Sequence, residues 1–241
     1  MSQFNRPSDH MNRRATAPSA AAQAVDVGLR RYMMRIYNYM GGALAVSAVT
    51  AGLGASTGLY VAIAQTPLIW LLIFSPLGIA LYFGARLPHM GVRTAQTVFW
   101  AFAALMGLSL SGVFLVYTGE SIVQTFLITA IAFGSLSLYG YTTNRNLSGF
   151  GTFLFMGLVG VIVASIVNIF LQSSALQFAV SAIGVLVFAG LTAYDTQSIK
   201  SLYYASDSQA VAAKKSIMGA LRLYLDFINL FILLLQVFGR R

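Results

Sequence analysis

Of the chain's 241 residues, 58% are hydrophobic and only 9% charged, where a soluble domain carries about 25% charged residues. That balance excludes an ordinary soluble fold and predicts an all-α, polytopic membrane protein, long enough for one bundle of about six to eight helices. No cysteine is present and the two histidines, His10 and His89, stand far apart, which excludes disulfides and thiolate metal sites and argues against a histidine-rich metal centre.

The first 31 residues are polar, rich in Ala, Ser, Asn and Arg, and broken by Pro7 and Pro18. They predict a disordered cytosolic tail, without the apolar core of a secretory signal. The arginines would suit an organelle transit peptide, but Asp9 and Asp26 argue against one. Residues 32–241 form the membrane domain. Seven apolar segments follow, each about 20–25 residues long.

The first covers roughly residues 36–59, with small residues at four-residue spacing, Gly41 with Ala45 and Ala48 with Gly52. This spacing lets helix backbones approach closely. Pro76 interrupts the second, at about 66–85. A proline there cannot donate to the Leu72 carbonyl, which then needs a partner such as Ser75 or a polar cavity. The third spans about 94–117 with Gly107 and Ser111 at the close-packing spacing, and a turn around Glu120 leads to the fourth, about 122–141. A polar turn at 141–149 precedes the fifth, about 150–171, and the sixth runs from near Leu176 through Asp195. The seventh, Leu221 to Phe238, places Arg222, Asp226, Asn229, Leu233 and Gln236 on one helical face. A helix that is apolar on all sides but one turns that side away from lipid, so the other helices are expected to pack around this one.

Thirteen of the fifteen lysines and arginines lie in the tail and in alternate connections. That asymmetry places the amino terminus in the cytosol, and it explains the net charge of +9 without nucleic acid. With seven spans, Arg240 and Arg241 fall on the opposite side, against the rule, so the last segment either crosses in spite of them or stops short.

Of the six acidic residues, Asp195 and Asp226 alone lie in apolar surroundings. A carboxylate at the bilayer centre costs about 2.5–3.5 kcal/mol or more, so it is expected to be protonated, paired or facing water. If the sixth and seventh segments form an antiparallel hairpin turning within residues 205–216, both carboxyls reach one depth near the midplane. That arrangement requires the sixth helix to continue to about Tyr204. Two carboxyls in contact there would share one proton and respond to pH. They offer at most about four oxygens where calcium takes six to eight, which suits transient passage better than tight binding. Arg222, one turn before Asp226, could equally neutralise it, and Asp195 could rest in interfacial water. Arg86, at the end of the second segment, could snorkel to the surface or reach Asp195 as a latch.

Two stretches are more specific. Gly190-Leu-Thr-Ala-Tyr-Asp-Thr-Gln-Ser-Ile-Lys200 and Ala220-Leu-Arg-Leu-Tyr-Leu-Asp-Phe-Ile-Asn-Leu-Phe231 closely resemble the signature of the BAX inhibitor-1 (transmembrane BAX inhibitor motif) family. Leu138-Tyr-Gly-Tyr-Thr-Thr143 and Leu147-Ser-Gly-Phe-Gly151 are similar to bacterial members. The resemblance covers about Arg31 to the end. It implies seven helices with the last wrapped by the other six, and a pH-sensitive calcium leak gated by an aspartate pair, here Asp195 and Asp226. It further implies a basic latch in the second helix, carried onto Arg86. Bacterial relatives can bear an acidic residue inside the second helix, where this chain has Ser75.

The expected function is a pH-sensitive cation (calcium) leak in a bacterial inner membrane. It needs no cofactor beyond transient Ca2+, and its partners are the lipid bilayer and calcium ions. The alternative is a non-transporting regulatory protein that binds other membrane proteins or a quality-control protease. No nucleophile–base set, metal cluster or phosphate loop points to an enzyme.

Overall fold

The computed structural model describes residues 20–240, with side chains from Val27 onward. Residues 1–19 of the expected tail lie outside the described residues. Residues 20–31, also assigned to the tail, are instead the start of the first helix. The elements are α1 (Ala20–Ser56), α2 (Leu59–Ala64), α3 (Leu68–Arg86), α4 (Val92–Ser109), α5 (Ser111–Val116), α6 (Gly119–Thr142), α7 (Ser148–Leu171), α8 (Ser174–Ser201) and α9 (Gln209–Phe238). Seven helical spans are long and apolar enough to cross a membrane, with α4 and α5 together making the third. Hydroxyl side chains start three of them: Thr118, Ser173 and Ser208 accept from the backbone N–H of Ser121, Leu176 and Val211, each satisfying a donor the first turn leaves free.

The seventh span is the hub. In its most apolar stretch 72% of residues are buried, against 11–39% in the other six. Helices α1, α4, α6 and α8 pack on α9, while α3 stands mainly against α4 and α7 against α8. The outer pair shows large apolar side chains on its free faces, Trp70, Leu71 and Leu81 on α3 and Phe153, Ile169 and Phe170 on α7. Such surfaces are stable against lipid tails and not against water.

Helix α9 begins at Gln209, twelve residues before the expected start. The run Gln-Ala-Val-Ala-Ala-Lys-Lys has high helix propensity behind the Ser208 cap, and hydropathy does not register a polar helical turn. The connection from α8 is therefore short, residues 202–208, rather than spread over 205–216. Lys215 closes it with an ion pair to Asp207 at 2.6 Å, a bond to the Leu202 carbonyl at 3.0 Å and a position over the Tyr204 ring. The 30 residues of α9 extend about 45 Å, more than the hydrocarbon thickness of about 30 Å. The last segment is thus long enough to cross fully. Its end is tied to the start of α6, where Thr118 N–H donates to the Arg240 carbonyl and Arg240 N–H to Ser121 Oγ.

On α1 the close approaches fall on a different face from the predicted one, while the predicted Gly107 and Ser111 are both in close contact with α1. A Cβ on Gly41 or Gly52 would meet nothing, whereas one on Gly42 would strike Trp100, and one on Gly54 would strike Ser111. Gly107 lies against the Ser47 backbone, 2.6 Å from where its Cβ would stand to Ser47 Cα, so α1 and α4 touch main chain to main chain. At Pro76 the freed Leu72 carbonyl is satisfied twice. Ser75 donates to it at 3.2 Å, as the sequence suggests, and Ser109 of α4 donates at 2.7 Å.

Candidate functional site

Asp195 and Asp226 meet. Asp226 stands seventeen residues into α9, and Asp195 six residues before the end of α8. Both line one cavity of about 590 Å3 with Gly151, Thr152, Tyr194, Arg222 and Asn229. Their carboxyls lie within hydrogen-bonding reach of each other. Asp226 is 5% exposed and its Oδ2 receives no hydrogen bond from any protein donor. Neither carboxylate can donate, so the two bond to each other only when one is protonated.

Three fixtures hold α8 so that Asp195 faces α9. Gly140 of α6 lies on the Ala193 backbone, where a Cβ would come within 3.0 Å of Ala193 Cα. A hydroxyl chain then crosses three helices. Thr196 donates to the Thr192 carbonyl at 2.7 Å, so its oxygen must accept from Ser137 at 2.9 Å, and Ser137 in turn accepts from Tyr37 at 2.7 Å. One turn further, Gln197 bonds the Leu147 N–H and the Arg145 carbonyl, and Lys200 donates to the Tyr141 carbonyl at 2.8 Å. These polar residues flank Asp195 in sequence, and their bonds fix α8 on either side of it.

Helix α9 is held as firmly. Tyr224, with no exposed surface, sits two residues before Asp226. Ser47 gives its one proton to the Ala103 carbonyl at 2.7 Å, so Tyr224 is the donor in the 2.7 Å bond between the two hydroxyls. Phe102 packs edge-on against Tyr224, and Phe126 and Phe133 against Phe227. The Asp226 carboxyl is thereby bracketed by two buried aromatic anchors.

The polar face of α9 divides in two. Arg222, Asp226 and Asn229 line the aspartate cavity. Asn229 Nδ2 donates to the Leu225 carbonyl, which leaves its amide oxygen for the cavity. Arg222 is exposed and makes no direct ion pair among the described residues, yet it is close enough for its charge to act on both carboxyls. Gln236 lies in a separate groove, accepting from Ser181 at 2.7 Å. Arg86 is exposed at the end of α3 and does not line the cavity. The structure brings Arg222, and not Arg86, to the pair. Sequence reasoning missed Thr152 and Tyr194 as lining residues. It also missed Ser165, Asn168 and Gln172, although their spacing of three and four residues puts them on one face of α7. Among the described residues no group of three or more His, Asp or Glu side chains is placed to hold a metal ion.

Known proteins resemble this chain along most of its length. It is 51% identical over 217 residues to the RP147 protein of Rickettsia prowazekii, covering 90% of this chain and 92% of that one. To the inner membrane protein YbhL of Escherichia coli it is 45% identical over 218 residues, 89% of this chain and 93% of the relative. A protein of Caulobacter vibrioides matches at 44% over 237 residues, 94% and 95% of the two chains. The family model described as inhibitor of apoptosis-promoting Bax1 matches residues 29–241, and the chain accordingly belongs to the BAX inhibitor family.

Proposed function

We propose that this protein is a proton-regulated cation leak, with calcium as its principal ion, in a bacterial inner membrane and with its amino terminus in the cytosol. The observation that carries the reading is the aspartate pair itself. Two carboxyls are placed face to face, one of them almost fully buried, in a cavity at the hub of a membrane bundle. A structural role would be served better by apolar residues of the same volume, because burying charge costs more than it returns.

With one proton between them, an O–H of one carboxyl donates to the other and ties α8 to α9. Loss of that proton removes the bond and leaves two like charges in contact, which separates the helices and attracts a cation. Calcium entry therefore rises as pH rises. Arg222 favours the ionised pair and sets where on the pH scale the change occurs. Together the carboxyls and the Asn229 amide supply few oxygens, so an ion keeps part of its water shell and passes through. The inner-membrane location draws on the similarity to YbhL, and the orientation on the lysine and arginine asymmetry.

Purified protein in liposomes carrying a calcium-sensitive dye tests this. Entry measured from about pH 5 to 8 should increase with pH, as expected when two carboxyls sharing one proton lose it. A partner pulled down with full-strength binding by a flux-dead variant would instead favour the regulatory reading.

A further inference from the structure

The polar groove at the other end of α9 does not belong to the aspartate cavity, and no step of the proposed cycle uses it. It measures about 400 Å3 and is lined by Ser165, Asn168, Gln172, Gln177, Ser181 and Gln236. Six amide and hydroxyl side chains converge where three membrane-crossing helices end, and every one is neutral. Ser181 is 1% exposed and donates to Gln236 Oε1, Asn168 Oδ1 accepts from the Ser173 N–H at 3.0 Å, and Ser165 donates to the Val161 carbonyl at 2.7 Å. The groove is thus offered the second lone pairs of these oxygens and the Gln172 and Gln177 amides. Polar side chains in a membrane bundle pair with one another or with backbone, as three of these do, and the rest favour water or a polar ligand.

The groove and the aspartate cavity share their walls. Helices α7 and α9 flank both, and α8 forms the floor of both. Asn229 and Gln236 are seven residues apart, about 10 Å along α9. Between them the polar face is broken once, by Leu233. At that level α8 has Gly184, and a Cβ there would stand 2.9 Å from Leu233 Cδ1 and 3.5 Å from Val161 Cγ1. Leu233 of α9 and Val161 of α7 thus both reach the bare backbone at Gly184, so apolar side chains lie between the two polar sites along α8.

We propose that the groove is the far mouth of the leak, a site for a partly hydrated cation made of neutral oxygens, and that Leu233 with Val161 is the barrier between it and the aspartate pair. The inference rests on the leak reading for the identity of the ion, but not for the barrier. Neutral oxygens bind a hydrated cation weakly and release it readily, as a mouth requires, whereas the charged pair supplies the control. A leucine and a valine brought together over one glycine repel water, and a small movement of α7 or α9 is enough to wet the space between them.

The natural chain has no cysteine, so single thiols report cleanly. The full-length variants Ser181→Cys and Asn229→Cys are reconstituted in liposomes and treated with a membrane-impermeant methanethiosulfonate from each face. Ser181→Cys should react from the far face only, and Asn229→Cys from the amino-terminal face only. Adding Leu233→Ser, or Val161→Ser as the second variant, should open Asn229→Cys to reagent from the far face. The barrier is overturned if Asn229→Cys reacts from the far face with Leu233 intact, or gains nothing from either serine. The mouth is overturned if Ser181→Cys reacts from neither face. Calcium entry in the same liposomes separates the two ideas. Gln236→Leu should lower it several-fold with the pH dependence kept, and unchanged entry overturns the cation site. If labelling follows the expected pattern but native protein admits no calcium at any pH, the leak reading fails and the barrier stands.

Discussion

Ser47 and Tyr224 offer a test of what fixes Asp226, because the direction of their bond makes the two deletions unequal. Ser47 donates to Ala103 and accepts from Tyr224. Tyr224→Phe removes one donor and leaves Ser47 still bonded to the Ala103 carbonyl, so the loss is that of a single membrane-buried hydrogen bond, about 0.6 kcal/mol and at most about 1.7. Ser47→Ala leaves a phenolic hydroxyl with no exposed surface and no acceptor, a cost of about 1–3 kcal/mol. The double variant removes both polar groups and should be more stable than Ser47→Ala alone. Reversible unfolding by dodecyl sulfate in mixed micelles, followed by tryptophan fluorescence, ranks the three. Equal losses for the two single variants, or a double variant equal to their sum, would refute the directional bond.

Other consequences follow from the same contacts. Gly140→Ala places a methyl group against the Ala193 backbone, which cannot swing aside as a side chain can, and should cost about 1–3 kcal/mol by forcing α6 from α8; the micelle titration measures it, and Gly134→Ala, which meets nothing, is its control. At Pro76, Ser75→Ala alone should be nearly silent because Ser109 still serves the Leu72 carbonyl. Ser75→Ala with Ser109→Ala leaves that carbonyl bare at a loss of about 1–3 kcal/mol, and additive small losses would contradict the shared acceptor. Removing the positive charge in Arg222→Gln makes ionising the pair harder, so the rise in calcium entry should move to higher pH. Arg86→Gln should leave the profile in place, and a shift of equal size in Arg86→Gln would return that residue to the role of latch.

Seven spans, the hub position of the last helix and the meeting of Asp195 with Asp226 were all legible in the sequence. Hydropathy counts residues in hydrocarbon, and an aspartate in such a run stands out because its burial is so costly. Helix ends were less legible. Residues 20–31 and 209–216 are helical but polar, and hydropathy falls silent where a helix leaves the membrane. On α1 the packing face was misplaced, with Gly42 and Gly54 in contact where Gly41 and Gly52 are free, whereas Gly107 and Ser111 of the third span pack closely as their spacing suggests. Four-residue spacing of small residues occurs on several faces of α1, and only the neighbouring helix selects one. The groove joins three polar residues of α7, whose spacing was legible, to Gln177 and Ser181 of α8 and Gln236 of α9, and no local pattern links the three sets before the helices do. Arg86 stands exposed at the end of α3, which packs mainly on α4, and does not line the aspartate cavity, a placement that register alone does not give.

The most direct test of the leak is calcium entry into liposomes holding wild type or Asp226→Asn across about pH 5–8. Asparagine carries a permanent N–H that can donate to Asp195 as the shared proton does, so the variant is held in the closed, bonded arrangement. Entry through the native protein should climb with pH, and entry through Asp226→Asn should stay low and flat. Identical entry through the two proteins at every pH would contradict the account.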